Sequence, residues 1–463
     1  MPKTPNVSVE THGIDFVPLA ERYGTPLRLF TLWFSVNLTI LGVALGTLGA
    51  AAGLSFGWVV TALIVGNAVG TIIMAAHSAQ GPQLGVPQMI QSRAQFGVLG
   101  AALPLVAVVI MYTLYCAANG VLIQSSLEHI VPVSGNGALV LFGLMTLAAA
   151  FAGYEFIHRA AGVMTVISAA FFLIAAYQLF FAHASGAFVL SNPTLHFSRA
   201  AFVLTVTQAA AWGLSYGPYV ADYSRYLPPS VSPSATFWYT AFGCFLGSTA
   251  VMVFGASLAG VDSAQVADPA GAVASLFGSG RSIARVMLVI GVVQGNVMNL
   301  YSAYLSAATI FSSLRGMQRI STGVRLLTMG TVISIATVIS MFAQGHFQAY
   351  FSDALNIMIY LLMPWSAINL ADYYFVRGGQ YNIADLFRLE GEYGRWRWKA
   401  LAVFAAGIIV QLPFVSLSFY NGPLMQWIGS DIAWIPGLLV PGILYVMVEG
   451  RVRGIARADQ VGS

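Results

Sequence analysis

The sequence predicts an all-α integral membrane protein with twelve transmembrane helices. Of its 463 residues, 58% are hydrophobic and 8% are charged, whereas about a quarter of the residues in soluble domains are charged. The mean hydropathy is +0.77, and apolar runs long enough to cross about 30 Å of hydrocarbon recur along almost the whole chain. Helices satisfy their own backbone in lipid, whereas a barrel would show alternating segments of about ten residues.

Short polar connections separate the apolar segments. We number the segments span 1 to span 12, at residues 28–50, 56–79, 99–127, 137–156, 160–184, 200–220, 235–259, 283–312, 325–344, 351–375, 400–419 and 432–449. The residues before span 1 carry several charges and no apolar core, so we predict a short cytosolic tail there and no cleavable signal.

Basic residues are concentrated on one side of the predicted membrane. With an inside N-terminus, the tails and even-numbered connections hold 17 of the 20 Lys and Arg residues, and the other side holds Arg199, Arg281 and Arg285. This asymmetry predicts a multi-pass protein of the cell membrane with both termini cytoplasmic. The basic, Trp-containing stretch 388–399 adjoins span 11, which favours an anchor at the lipid bilayer and disfavours a nucleic-acid site.

The reactive residue types do not form the pattern of an enzyme. No His/Asp/Glu set has metal-ligand spacing, and no Ser/His/Asp set lies within the spans, so we predict no enzyme, no metal and no bound cofactor. Cys116 and Cys244 both lie in apolar spans, which indicates packing and no disulfide. A channel is disfavoured too, because it would need a lined pore, which is usually built from repeated subunits.

Spans 1 and 6 carry helix-weakening residues. Span 1 contains Ser35-Val-Asn-Leu-Thr39, and span 6 contains Gly213 and the pair Gly217-Pro218. Because proline removes a backbone donor, we predict that span 6 breaks at Gly213 and Gly217-Pro218. Two broken helices five spans apart are typical of secondary transporters with inverted repeats, which bind substrate where the breaks meet. Gly46 and Gly49 of span 1 are interpreted as close-packing positions.

The connection between spans 2 and 3 is rich in amides. It reads Gly81-Pro-Gln-Leu-Gly-Val-Pro-Gln-Met-Ile-Gln-Ser-Arg-Ala-Gln-Phe-Gly97. We predict an inner helix that packs under the bundle and gates the cytoplasmic exit, and not a substrate site. Asp222 and Arg225, at the inner end of span 6, either pair with groups of this segment or cap a helix end.

Four motifs together resemble the nucleobase:cation symporter family, most of all its purine/cytosine permease branch. They are Gly81 to Gly97, Tyr219-Val-Ala-Asp-Tyr-Ser-Arg-Tyr-Leu-Pro228, Gly24-Thr-Pro-Leu-Arg28 with Trp33-Phe-Ser-Val-Asn37, and Asn296-Val-Met-Asn-Leu-Tyr-Ser302. The resemblance covers about residues 20–380. It implies a five-plus-five inverted-repeat, leucine-transporter-like core at 27–380, after a cytosolic tail at 1–26. Residues 381–463 then form helices 11 and 12 and a cytosolic C-terminal tail.

The resemblance implies alternating-access import of a nucleobase, cytosine or a purine, by cation symport. The partners would be that small molecule, the coupling cation and the lipid bilayer. Thiamine, a pyrimidine precursor, allantoin or a hydantoin remain alternative cargoes. An amino-acid transporter of the same fold is disfavoured, because a lone Gly42 between bulky neighbours does not form the Gly-rich break that exposes amides to a carboxylate.

A planar heterocycle calls for aromatic faces and for groups that both donate and accept hydrogen bonds. Tyr115 and Asn119 of span 3 lie four residues apart and share one helix face. The resemblance implies that they are the substrate's aromatic and amide partners, and that Tyr216 of span 6 is the second stacking ring. Trp212, one turn earlier, competes for that role. Ser215 is predicted to supply a further hydrogen bond.

Span 8 carries Gln294, Asn296 and Asn299 within an otherwise apolar helix. An amide in hydrocarbon must find a partner, so all three should face the bundle interior. Asn296 and Asn299 are predicted to contact the substrate edge, and Asn37 in the span 1 break to join the site. For each asparagine, a contact between helices remains the alternative.

The coupling ion is open between a proton and sodium. The resemblance implies a sodium site built from carbonyls of the span 1 break and a hydroxyl pair of span 8, since a hard cation binds oxygen. Gln294 and Gly295 stand at the matching positions, with Ser302 the nearest hydroxyl, so we favour the proton. Proton coupling needs a titratable group. Those near helix ends are Glu128, Glu155, Asp222, Asp353, Asp372 and His77.

Overall fold

A computed structural model of the chain describes residues 15–151, 154–182, 196–261, 267–315 and 322–450. The first 14 residues of the predicted N-terminal tail and the predicted C-terminal tail at 451–463 lie outside this range. The side chains of residues 154–165, among them Glu155, also lie outside it. The described part is mostly helical, with one small hairpin.

The helices follow the predicted spans closely. Their bounds are α1 Leu27–Val36, α2 Ile40–Ala51, α3 Phe56–Ser78, α4 Gly81–Leu84, α5 Gln88–Phe96, α6 Ala102–Ile130, α7 Asn136–Phe151, α8 Tyr154–Tyr177, α9 Arg199–Leu214, α10 Gly217–Ser224, α11 Pro233–Val261, α12 Pro269–Ser275, α13 Arg281–Arg315, α14 Thr322–Ala343, α15 Phe347–Ala371, α16 Trp398–Ile409, α17 Pro423–Ile428 and α18 Trp434–Glu449. The hairpin pairs β1 (Ser416–Leu417) with β2 (Tyr420–Asn421).

Each of the twelve predicted spans contains a helix. In the described part of the chain, six helical segments are long and apolar enough to cross a membrane alone, and the pair α1 and α2 forms a seventh, bent by 63°. The remaining five spans hold shorter or interrupted helices. They are α7, α8 with its π-helical end Gln178–Ala182, α9 with α10, α16, and α18.

Both predicted helix breaks are present. The helix of span 1 stops at Val36, and Thr39 caps the next helix by accepting a hydrogen bond from the Gly42 N–H at 3.3 Å. The helix of span 6 stops at Leu214 and resumes at Gly217, with proline in the first turn of α10, where its missing N–H costs nothing. Residues of both breaks border one cavity.

Glycines allow the helices of the core to touch backbone to backbone. A Cβ atom on Gly46 would meet the backbone of Met252 in α11, as the close-packing interpretation expects. Gly213 belongs to the same class, because it lies inside α9 and packs against Gly70 of α3. The prediction that Gly213 marks the break was therefore wrong, and the break lies at Ser215 and Tyr216.

The amide-rich connection forms the short α4 and the inner helix α5. Every side chain of α5 is buried. Val17 donates a backbone hydrogen bond to Gly85, and Arg22 donates to Pro82 O at 2.8 Å, so the segment before α1 packs on this connection. The residues after span 10 cover it from another side, through a second apolar cluster around Ile90 and Leu386.

Candidate functional site

A cavity of about 220 Å³ lies where the two broken helices face α6, α8 and α13. Seven of the predicted residues line it. They are Tyr115, Asn119, Trp212, Tyr216, Gly295, Asn299 and Ser302. The helix breaks, the aromatic rings and part of the amides therefore meet at one place, although they are more than 250 residues apart in sequence.

Three predicted aromatic rings form one wall. The ring centroids of Tyr115 and Trp212 are 5.9 Å apart, as are those of Trp212 and Tyr216, and both pairs are edge-to-face. The two edge-to-face contacts hold the three rings in fixed orientations at the edge of the cavity. Both Trp212 and Tyr216 thus belong to the wall, and neither excludes the other.

Six further aromatic residues line the cavity and were missed from the sequence. They are Trp33, Tyr112, Tyr219 and Tyr223, which extend the wall, and Phe171 and Phe172 of α8. The ring of Trp33 lies 5.3 Å from Tyr216 and 5.5 Å from Tyr223. A signal existed, because Tyr216, Tyr219 and Tyr223 are spaced by three and four residues and so share one helix face. The indole N–H of Trp33 is buried and has no hydrogen-bond partner among the described residues.

One face of α13 supplies the polar wall. Gln294, Gly295, Met298, Asn299 and Ser302 all line the cavity, at the three- and four-residue spacing of one helix face. A Cβ atom on Gly295 would meet no atom within 4 Å, so this part of the wall is open space.

Asn296 does not line the cavity but lies behind its wall. Its Oδ1 accepts a hydrogen bond from Asn119 Nδ2 at 3.2 Å, and its Nδ2 donates to Thr146 Oγ1 at 3.4 Å. Asn296 therefore orients Asn119 and joins α13 to α7. The amide that lines the cavity in its place is Gln294.

Asn37 and Ser215 also lie behind the wall. The Asn37 Oδ1 accepts hydrogen bonds from Trp212 Nε1 at 2.6 Å and from Tyr216 Oη at 3.3 Å, and its Nδ2 donates to Trp33 O at 2.5 Å. Ser215 Oγ accepts from Tyr115 Oη at 2.8 Å. Asn37 thus ties the span 1 break to both rings of span 6, and the structure places it as a support for the rings, away from the cavity surface.

Neither of the two carboxylates predicted for coupling lines the cavity. Asp222 Oδ1 accepts the backbone N–H of Gln88 at 2.8 Å, at the junction of α10 with α5. Glu128 accepts the backbone N–H of Gly135 at 2.6 Å, near the opposite end of α6. Within the described residues, no group of three or more His, Cys, Asp or Glu side chains is arranged to hold a metal ion.

Comparison with protein families matches residues 16–435 to the model described as "Permease for cytosine/purines, uracil, thiamine, allantoin". The putative purine-cytosine permease YxlA of Bacillus subtilis is 37% identical, over 96% of this chain and 97% of its own length. The purine-cytosine permease FCY2 of Saccharomyces cerevisiae is 28% identical, over 95% of this chain and 85% of its own length.

Two solved structures share the fold. The inward-facing conformation of Mhp1 superposes with a TM-score of 0.74 at 18% identity, over 96% of this chain and 94% of the other. Mhp1 in a closed conformation with bromovinylhydantoin bound gives a TM-score of 0.71 at 19% identity, over 95% and 94%. The predicted fold class, an all-α inverted-repeat membrane transporter, is confirmed.

Proposed function

Because the chain belongs to the family of permeases for cytosine and purines, uracil, thiamine and allantoin, we propose that it imports a nucleobase, cytosine or a purine, by symport with a proton. Membership in this family makes it a multi-pass membrane transporter and not an enzyme. Its small-molecule substrate enters from outside the cell, and both termini face the cytoplasm.

The observation that carries the proposal is the composition of the cavity wall. Rings of spans 1, 3 and 6 line the cavity together with amide side chains of spans 3 and 8, at Asn119, Gln294 and Asn299. A nucleobase presents two π faces and an edge of alternating donors and acceptors, so rings and amides are the matching groups. No charged side chain of the described residues lines this cavity, which supports a neutral substrate over an amino acid.

The same wall supports the proton over sodium. Gly295 has no side chain, its neighbour Gln294 carries an amide, and Ser302 is the only hydroxyl that α13 gives to the cavity. A hard cation of small radius needs several oxygen ligands at close range. Thiamine, allantoin or a hydantoin remain second candidates for the cargo, because the family description includes the first two and a hydantoin occupies the related fold.

Uptake of labelled cytosine, hypoxanthine, adenine and uracil tests the proposal. Cells that lack their own permeases would be assayed at acidic and neutral pH, with and without sodium. We expect accumulation of at least one base that a protonophore abolishes and that sodium does not affect. If the protein reaches the membrane and no base enters, the cargo is wrong. Strict dependence on sodium would show that the ion is wrong.

Trp33→Phe tests whether the unpartnered indole N–H contacts the substrate. The variant keeps an aromatic ring and removes one donor. We expect KM for the imported base to rise about 2- to 10-fold, because one hydrogen bond contributes about 0.5–1.5 kcal/mol net. Trp58→Phe is the matched control, since Trp58 packs on Phe197 and Phe202 away from the cavity. An unchanged KM in Trp33→Phe would contradict the contact.

A further inference from the structure

A buried histidine lies directly behind the break of span 6. His77, in the last turn of α3, has no exposed surface. A Cβ atom on Gly217 would lie 3.6 Å from the His77 ring and 3.5 Å from Trp365. Gly217 follows Tyr216, which lines the cavity. The first turn of α10 therefore lies against the imidazole, and the residue just before it forms part of the substrate wall.

Both ring nitrogens of His77 face side-chain oxygens of α15. Nδ1 is 3.0 Å from Asn369 Oδ1, and Nε2 is 3.1 Å from Ser366 Oγ. An amide oxygen only accepts, so we assign the hydrogen of the neutral ring to Nδ1, and Ser366 then donates to Nε2. A hydroxyl can reverse its role, so Ser366 can also accept from a protonated Nε2. The pocket thus accommodates both charge states of the ring without moving a heavy atom.

The stacking of the His77 ring on Trp365 also favours the protonated form of the histidine. His77 stacks on Trp365 with centroids 4.8 Å apart and planes at 12°, and the face of an indole attracts a positive charge. Trp365 is itself fixed, because its Nε1 donates to Ser92 Oγ at 2.9 Å.

One amide beside His77 is only partly hydrogen-bonded. Gln88 Nε2 is 3.3 Å from His77 Nδ1, while the Gln88 Oε1 is buried and has no hydrogen-bond partner among the described residues. Gln80 Nε2 donates to Asn369 Oδ1, and Asn369 Nδ2 donates to Gln95 Oε1. Buried polar atoms are normally satisfied. The hydrogen bonding of the Gln88 amide beside Nδ1 is therefore incomplete in the neutral state of the ring.

No charged side chain of the described residues hydrogen-bonds to the His77 ring, but charged and titratable groups lie on the elements packed around it. On α10, Asp222 accepts from the backbone of Gln88. On α5, Arg93 donates to Leu386 O and Ser313 Oγ, and burial lowers the pKa of Arg93 to about 10, so it stays protonated at neutral pH. After α15, Tyr374 donates to Ala76 O, and Asp372 accepts from Gln95 at 2.6 Å.

Asp372 extends the network towards the surface. It also accepts from Tyr381 Oη at 2.7 Å and lies 3.3 Å from the Nε of Arg377, which pairs with the partly exposed Glu392. Hydrogen bonds therefore connect His77, through Asn369 and Gln95, with the buried Asp372, and ion pairs continue through Arg377 to the partly exposed Glu392.

We propose that His77 is the proton-carrying group of this transporter, which rests on the proton-coupled import proposed above. One proton adds to the Nε2 lone pair while the site is open to the outside, and Ser366 turns its hydroxyl to accept the new N–H. A base stacked on Tyr216 fixes the start of α10 against the charged ring. The same proton leaves on the cytoplasmic side, which restores the neutral ring. Substrate and proton thus stabilise the same arrangement of α3, α10 and α15, as symport requires.

The test compares wild type with His77→Gln in proteoliposomes, using a base that the wild type accepts. Two activities are measured. One is accumulation driven by an imposed pH gradient, and the other is exchange of labelled for unlabelled base at equal pH. We expect His77→Gln to lose all accumulation above the outside concentration and to retain exchange. The control His129→Gln changes an exposed histidine at the far end of α6 and should retain both activities.

The other outcomes separate the two proposals. Wild-type protein that takes up no base would refute the proposed function. Wild-type uptake driven only by sodium would refute proton coupling, and this inference with it. A His77→Gln variant that still accumulates base under the pH gradient would refute the inference alone. A folded variant that has lost exchange as well would assign His77 a structural role and also overturn the inference.

If His77→Gln does not fold, a second variant tests the proposal. Gln88→Glu is isosteric and places a carboxylate beside Nδ1, which favours the charged ring. Protons taken up on base binding are measured on purified protein with a pH indicator over a range of pH. We expect the midpoint of proton uptake to move to higher pH in Gln88→Glu and to stay in place in Gln83→Glu, at an exposed glutamine of α4. An unmoved midpoint in Gln88→Glu would overturn the proposal.

Discussion

Asn119→Ala is expected to weaken substrate binding on the order of 10- to 100-fold, because an unmet buried hydrogen bond costs about 1–3 kcal/mol. Asn119 lines the cavity one helical turn from Tyr115 of the aromatic wall. Its Nδ2 donates to Asn296, and its Oδ1 accepts from no protein group among the described residues. The oxygen is thus available to a donor on the edge of a base. Competition against a labelled base in whole cells measures the change.

The control for this loss is Gln124→Ala. Gln124 lies on the same helix, five residues further on, and its amide donates to Glu128 and Gln344 away from the cavity. The Gln124→Ala variant should transport the base with an unchanged KM. Asn119→Ala with wild-type affinity and normal surface expression would remove Asn119 from the site.

Gly46→Leu is expected to prevent folding. The new side chain would overlap the backbone of Met252 in α11. A helix backbone cannot relieve such an overlap by changing rotamer, as a side chain can. On the other face of the same contact, Gly255 packs on the backbone of Val43. Overpacking a rigid contact costs about 3 kcal/mol or more, which is a large part of the stability of a domain. Size-exclusion chromatography of the detergent extract after heating measures the loss.

Gly330→Leu is the matched control. Gly330 lies in the membrane-spanning α14, and a Cβ atom there would meet no atom within 4 Å. The control variant should elute as the wild type does. If Gly46→Leu folds and transports normally, the contact between α2 and α11 is looser than the structure has it.

The helices and their breaks could be predicted because they depend on local chemistry. Apolar length and proline position act within one segment, and both breaks are where the sequence indicated them, apart from Gly213. The prediction for Gly213 was wrong because a glycine in a membrane helix can either weaken the helix or allow a close contact between two helices. Only the position of Gly70 on α3 shows that Gly213 makes a close contact. That neighbour is more than 140 residues away in the sequence.

The site was predicted less completely for the same reason. The spacing of residues in a helix shows which of them share a face. The pairs Tyr115 with Asn119 and Trp212 with Tyr216 could therefore be assigned to one face each. The spacing does not show whether a polar residue on that face meets the cavity or another helix. Asn296 meets Thr146, and Asn37 meets Trp212, so both lie behind the wall. The hydrogen bonds of His77 to α15 join positions 289 and 292 residues apart.

The two sides of the cavity differ in how freely they can change. On the ring side, Asn37 binds both Trp212 and Tyr216, so a substitution of either ring also disturbs the junction of two broken helices. On the α13 side, Gly295 faces open space, and Gln294 and Asn299 are only partly buried. We therefore expect mutations in α13 to change the preference for one substrate over another. The aromatic wall of Tyr115, Trp212 and Tyr216 should stay the same in such variants. Laboratory selection for altered substrates would begin at 294, 295 and 299.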